Sequence, residues 1–297
     1  MIISNTTPEQ KRAAFRSALN SGKLQQFPGA YNPMVAMLIE QTGFDGVYVS
    51  GAVMANSLGL PDIGMTTLTE VGQFASNIAK VTALPTIMDI DTGFGETMSV
   101  VRTIKELEHL GLSGCHLEDQ VNPKRCGHLD NKELVSTNAM VQKVKAAAEA
   151  KNDENFVIIA RTDARAVEGL DQAINRAKAY VDAGADMIFP EAMRNESEFE
   201  AFRKAVDVPL LANMTEFGKS KLLDKASLEN LGFNLVIYPV TTQRLAMKAV
   251  EDGLATIKAE GTQQPLLDQM QTRKRLYEVI KYEDYNQFDG SIYNFKL

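Results

Sequence analysis

Eight short apolar runs alternate with eight longer amphipathic ones, and this alternation predicts an α/β fold, a (β/α)8 barrel of the TIM type. Two further observations support the barrel. The strand candidates are near-continuous apolar runs, as parallel strands covered on both faces require. The first of them leads into Phe27-Pro28-Gly29-Ala30-Tyr31-Asn32-Pro33, which is not the glycine-rich phosphate turn that opens a doubly wound sheet.

The strands are expected at Leu24–Ala30, Gly46–Ser50, Pro85–Ile90, Gly114–Glu118, Phe156–Thr162, Asp186–Pro190, Pro209–Ala212 and Asn234–Pro239. The first helix, Pro33–Thr42, follows Asn32, a good N-cap with proline at the first helical position. Thr69–Ala79, Glu96–Leu110 and Asn138–Lys151 come next, then Leu170–Ala183, which stops at Gly184, a suitable left-handed cap. Glu196–Ala205, Lys219–Leu231 and Thr242–Ala259 complete the barrel set. We read 1–297 as one barrel domain with 260–297 as a helical extension. That extension holds an amphipathic Pro265–Lys281 and an aromatic tail, Tyr282, Tyr285, Phe288, Tyr293 and Phe295. Aromatics on a charged extension need burial, either on their own barrel or on another subunit.

Bulk composition narrows the function classes. Hydrophobic content of 44% and charged content of 23% suit a globular protein with a large core. The net charge of −7 argues against nucleic acid or an anionic membrane as partner. Two cysteines form no disulfide framework, and the first residues lack an apolar signal core, so a cytoplasmic location is expected.

In a barrel, chemistry sits at the C-terminal ends of strands. Asp89-Ile90-Asp91 ends the third and His116-Leu117-Glu118 the fourth. Strand periodicity puts Asp89 and Asp91 on one face, and His116 and Glu118 on one face. Converging carboxylates repel unless they hold a cation or protons, and an all-oxygen set suits Mg²⁺ or Mn²⁺. Arg161 ends an apolar strand, where an anion clamp or an ion pair with Glu191 is its natural work. Asn213 and Thr215 follow the seventh strand, and Tyr48 and Ser50 share a face of the second, before Gly51 and Ala52. Cys115 falls opposite the functional face and reads as a small buried apolar residue. Cys126 is different: it lies in Lys124-Arg125-Cys126-Gly127-His128, where cations favour the thiolate and Gly127 allows close backbone approach.

That stretch, continued by Leu129, resembles the active-site signature of the isocitrate lyase and phosphoenolpyruvate mutase superfamily, in its lyase branch. Other stretches agree in order: Tyr48-Val49-Ser50-Gly51-Ala52, Gly59-Leu60-Pro61-Asp62, Asp89 to Gly95, His116 to Gln120, Ala160 to Ala164, and Asn213 to Glu216. The short chain and the Lys124-Arg125 dipeptide are most similar to the lyases that cleave 2-methylisocitrate; sister lyases acting on isocitrate or 2,3-dimethylmalate are the alternative. One difference is Ser50-Gly51-Ala52, where some of those lyases have Ser-Gly-Gly. A barrel retired to scaffold use has no need of Asp89, Asp91, Glu118 and Cys126.

The resemblance implies Mg²⁺-dependent cleavage of a tricarboxylate to pyruvate and succinate, as in the methylcitrate cycle. It assigns Asp89 to the metal directly and Asp91, Glu118 and Asp62 to it mostly through water. Ser50, Gly51, Ala52 and Arg161 would hold the pyruvate side. Arg125, Gly127, His128, Glu191, Asn213 and Thr215 would surround the succinate half. Cys126 would be the general acid, with Tyr48 a candidate base. It further implies a closing loop at Lys124–Leu129, and a homotetramer built from dimers that exchange their last helices.

Overall fold

The computed structural model describes residues 4–127 and 131–293. Eight parallel strands form the centre: β1 (Gln25–Pro28), β2 (Val47–Val49), β3 (Thr86–Asp89), β4 (Gly114–Glu118), β5 (Val157–Thr162), β6 (Met187–Pro190), β7 (Leu211–Asn213) and β8 (Leu235–Tyr238). The ladder runs β2-β3-β4-β5-β6 in one segment and β1-β8-β7 in another. Single parallel bridges, Gly29 with Tyr48 and Ile188 with Leu210, join the two segments and close the barrel. The eight expected strands are all present in the expected order.

Helices surround them: α1 (Pro8–Leu19), α2 (Pro33–Thr42), α3 (Gly51–Ser57), α4 (Leu68–Lys80), α5 (Thr97–His109), α6 (Thr137–Ala150) and α7 (Ala164–Val167). There follow α8 (Leu170–Asp182), α9 (Glu196–Ala205), α10 (Lys225–Asn230), α11 (Thr241–Glu260), α12 (Arg273–Val279) and α13 (Tyr282–Tyr293). Asn32 caps α2 as its sequence predicts, its side chain accepting from the Val35 N–H at 2.9 Å. Gly184 takes the left-handed conformation after α8, at φ 103°.

Strand alternation sorts the core into two layers. Phe27, Tyr48, Ile87, Ile159, Met187, Phe189, Leu211, Leu235 and Ile237 fill the barrel interior. Met88, Ile90, Cys115, Leu117, Ile158 and Ala160 face the helices instead. Cys115 is therefore the buried small side chain the alternation predicts.

The bottom of the barrel is stoppered by α1, an element the sequence reading did not include. Thr7 and Gln10 form its capping box, and Phe15 and Leu19 enter the interior cluster. Two buried cations fix its position. Lys11 Nζ donates to the Ala79 carbonyl at 2.8 Å in the last turn of α4, and Arg12 donates to the Leu112 and Glu108 carbonyls at the end of α5. Helix C-termini leave carbonyls without intrahelical partners, and these side chains supply the donors.

Short helices α3 and α7 were not expected, and three expected segments take another form. The helix expected at Lys219–Leu231 shortens to α10, because the Asp224 side chain accepts from the Ser227 N–H and starts the helix there. Pro265–Lys281 is not one helix. Gln264–Gln269 is a 3-10 turn, Met270 is extended, and Thr272 caps a new start by accepting from the Arg275 N–H. The aromatic tail is itself helical as α13; Phe295 lies outside the described residues.

Candidate active site

The site begins with the turn after β3. Asp89 Oδ1 accepts from the Asp91 N–H at 2.9 Å, and Asp89 Oδ2 accepts from the Gly51 N–H at 3.3 Å. Asp91 is held in left-handed backbone, at φ 48°. Neighbouring main chain locks the turn, since the Ile90 N–H donates to the His116 carbonyl and the Glu118 N–H to the Asp91 carbonyl. Both aspartates are buried. Burial raises the pKa of Asp89, and raises that of Asp91 to about 6, where the charge on Asp89 adds to it and Lys124 opposes it.

Cations answer these carboxylates from two directions. Lys124 Nζ pairs with Asp62 and, at 2.8 Å, with Asp91. Burial works against its charge, but Glu118, Asp91, Asp89 and Asp62 overcome it and keep the lysine protonated. Sequence reading gave Lys124 to the thiolate; its ammonium is instead engaged by carboxylates. On the other side, Arg161 meets Asp163 at 2.9 Å, Glu118 at 3.1 Å and Glu191 at 3.3 Å. The ion pair expected between Arg161 and Glu191 is present, and Asp163 and Glu118 join it.

Tyr48 and His116 stack inside the barrel, with the phenol oxygen 2.8 Å from His116 Nε2. Burial, then the Arg161 charge, lowers His116 to about 3, so the imidazole is neutral. Burial, then Asp89, raises Tyr48 well above the ordinary phenol range, so it too is neutral.

The segment after β4 reaches back across the mouth. The Gln120 side chain grips it at both backbone groups of one residue, accepting from the Arg125 N–H at 2.9 Å and donating to the Arg125 carbonyl at 2.8 Å. Gly127 has no room for a side chain: a Cβ there would lie 2.3 Å from Arg161 Nη2 and 2.6 Å from Glu191 Cγ. A cavity of about 290 Å³ results, lined by Tyr48, Ser50, Ala52, Asp62, Asp89, Lys124, Cys126, Gly127, Arg161, Glu191, Asn213 and Thr215 among others. Gly51, Asp91 and Glu118 join it through Asp89, Lys124 and Arg161. Arg125 does not: it is exposed, and its guanidinium turns back onto the Pro123 and Lys124 carbonyls at 3.2 and 3.1 Å. His128 and Leu129 lie outside the described residues.

Residues 15–258 match the phosphoenolpyruvate phosphomutase family. The chain belongs to this family. It is 59% identical to probable 2-methylisocitrate lyase 1 of Corynebacterium glutamicum, over 97% of this chain and 94% of that one. It is 46% identical to 2-methylisocitrate lyase of Aeropyrum pernix, over 96% and 92%. Among solved structures it superposes on a 2,3-dimethylmalate lyase with a TM-score of 0.90 at 31% identity, over 98% of this chain and 97% of that one. A phosphonopyruvate hydrolase in complex with oxalate and Mg²⁺ superposes with a TM-score of 0.86 at 32% identity, over 96% and 99%.

A Mg²⁺ requirement in this phosphoenolpyruvate phosphomutase family member can be tested against its own donors. Among the described residues no three His, Cys, Asp or Glu side chains are gathered to hold a metal unaided. Mg²⁺ keeps most of its water and takes one or two carboxylates. The donors are all oxygen. Asp91 Oδ1 and both Glu118 oxygens are buried with no aligned hydrogen-bond donor, although Lys124 and Arg161 stand within ion-pair range. Burial pushes Glu118 well above the usual carboxylate range. Buried, under-donated, mutually repelling carboxylates are what a hydrated divalent cation relieves, and the residues fit it.

Sequence reasoning missed four contributors: Lys132, Asp163, Phe189 and Arg244. Phe189 supports both His116, edge-on at 5.2 Å, and the Arg161 guanidinium, also at 5.2 Å. Its position on the inward face of β6 was readable. Arg244 lines the cavity from α11. Lys132 carries no local signal, because its partners arrive from Gly127 and from the end of β5.

Proposed function

We propose that this chain cleaves 2-methylisocitrate to pyruvate and succinate. One observation carries the reading: the Cys126 thiol, the Asp89 carboxylate and the Arg161 clamp open on a single cavity. The activity named for the relatives supports the same substrate. A solved protein of the same fold is a 2,3-dimethylmalate lyase, so the assay below includes that substrate.

The chemistry breaks one carbon–carbon bond beside a tertiary alcohol. The hydroxyl loses its proton, its oxygen becomes the pyruvate carbonyl, and the bonding pair moves onto the succinate carbon. A Mg²⁺, with Mn²⁺ as substitute, would be held by Asp89, with Asp91, Glu118 and Asp62 acting through water, and would supply Lewis-acid stabilisation of the developing negative charge. Ser50, Gly51, Ala52 and Arg161 hold the pyruvate-side carboxylate. Gly127, Glu191, Asn213 and Thr215 orient the succinate half. Cys126 gives its proton to the carbon that receives the electron pair. Tyr48, held neutral, donates a hydrogen bond to the oxygen rather than taking its proton, and solvent beside Asp62 accepts that proton.

The chain also self-associates in this reading, as a tetramer of helix-exchanged dimers. In support, α11 runs 20 residues with none buried. Its Leu245, Leu254 and Met247 are more than half exposed. An apolar groove of about 410 Å³ lies beside it, lined by Tyr31, Val35, Leu38, Ile39, Phe44 and Leu245. No helix among the described residues is long and apolar enough to cross a membrane. Both cysteines are unbridged, in keeping with the reducing cytoplasm we assign.

The test is Mg²⁺-dependent release of an α-keto acid from 2-methylisocitrate, isocitrate and 2,3-dimethylmalate, with Cys126→Ser alongside. The wild type should prefer 2-methylisocitrate. Cys126→Ser should bind it yet turn over roughly 10²–10⁴-fold more slowly, the usual range for a lost general acid. Normal turnover in Cys126→Ser would remove the thiol from the acid role.

A further inference from the structure

We propose that Lys132 is a positioning residue that ties the Cys126-Gly127 segment to the Arg161 clamp. The proposal rests on the reading of Cys126 as acid and Arg161 as substrate clamp. Lys132 follows the active segment in sequence. Its ammonium donates to the Gly127 carbonyl and to Asp163 Oδ1, the latter at 2.7 Å. The Lys132 side chain is 1% exposed and that of Asp163 fully buried. A buried lysine is uncommon, and it is tolerated only where its charge and donors find partners.

Asp163 is a shared anchor. It takes Arg161 Nε at 2.9 Å and Nη2 at 3.3 Å. Its own position is fixed from behind, since its N–H donates to Asp119 Oδ1 at 2.9 Å, and Thr162 Oγ1 and Tyr180 Oη donate to Asp119 Oδ2. The chain of contacts therefore runs from a rigid strand end, through Asp163, to two cations. One cation holds the backbone next to the thiol, and the other faces the cavity. Gly127 packs directly on Arg161, so the two holds meet at one point.

The arrangement has two consequences. The carbonyl one residue beyond Cys126 is fixed, which sets where the thiol can sit relative to a bound substrate. Arg161 is also left with charge to offer. It faces Asp163, Glu118 and Glu191. Lys132 balances the first of these, so an incoming carboxylate meets less competition for the guanidinium.

The test uses the full-length protein with Lys132→Met, which keeps the stem and removes the charge, and Lys132→Arg, which keeps a cation. The main readout is alkylation of Cys126 by iodoacetamide without substrate, with buried Cys115 as the internal reference. This readout does not depend on turnover, so it stands whether or not Cys126 proves to be the acid. In Lys132→Met, Cys126 should react about tenfold faster, the change expected from losing about 1.4 kcal/mol of restraint. Its kcat should fall on the order of 10²-fold, as for a misplaced catalytic group, with KM raised by the weakened clamp. Lys132→Arg should recover most of both, and Cys115 should stay unreactive in each variant even though breaking the buried pair in Lys132→Met lowers its thermal midpoint. Unchanged alkylation in Lys132→Met overturns the proposal, whether kcat is retained or falls together with the melting midpoint. If Lys132→Met does not fold, Asp163→Asn breaks the same link and is judged by the same alkylation outcome.

Discussion

Asp91 concentrates the conflict at this site. It is buried, held in left-handed backbone, and faces Asp89 across one turn. Its pKa, raised to about 6, means that the folded protein holds the proton more tightly than the unfolded chain. The group therefore weakens folding once pH passes the unfolded value near 4, and the penalty is fully developed above its folded value. A divalent cation needs the ionised carboxylate, so protons compete with it. Mg²⁺ affinity measured by titration calorimetry should fall by up to about tenfold per unit as pH drops below about 6. Affinity that stays constant from about pH 5 to 8 would take Asp91 out of the cation site. Residue types explain why the carboxylates were legible and Arg125 was not. The direction of a strand side chain follows from period two, so the inward face of Asp89, His116 and Glu118 could be read directly. Arg125 is on a loop, where spacing says nothing about direction, and its guanidinium found nearby carbonyls instead. The partners of Lys124 and Lys132 are equally non-local.

At the scale of elements, α1 decides whether the barrel has a floor. Phe15 is 1% exposed and packs on Phe27 with ring centroids 5.2 Å apart. Removing such a ring leaves a cavity that the surrounding strands cannot collapse to fill. Phe15→Ala should lower unfolding free energy by about 3–5 kcal/mol, read from urea denaturation. The loss should leave the Mg²⁺ affinity of the folded fraction unchanged, because the carboxylates sit at the opposite end of the strands. A loss below about 1 kcal/mol would mean that α1 merely covers the barrel. The eight strands were legible because a parallel strand buried on both faces leaves an apolar run. The break between Pro265 and Lys281 was not, since an amphipathic pattern continues across it. The deciding feature is one Thr272 cap, and threonine is common enough elsewhere to carry little weight alone.

At the scale of the molecule, the last three helices, α11 to α13, bury almost nothing within their own chain. Across α11 no residue is buried; α12 buries only Val279; α13 buries none. Helices of this kind gain little from intrinsic propensity and depend on packing an apolar face. Leu245, Met247, Val250, Leu254 and Ile257 are all 41% exposed or more, with an apolar groove alongside. Arg244, which lines the active cavity, is carried on the first turn of α11. In the proposed assembly, a subunit covering α11 would also steady one wall of the cavity through Arg244. Leu254→Glu places a charge in the middle of the apolar stripe, where burial without a partner is costly. Sedimentation should show the assembly shift toward monomer, and turnover should fall with it through Arg244, recovering at higher protein concentration. If Leu254→Glu sediments as the wild type does, the stripe is not the subunit contact, and α11 must be steadied by its own chain.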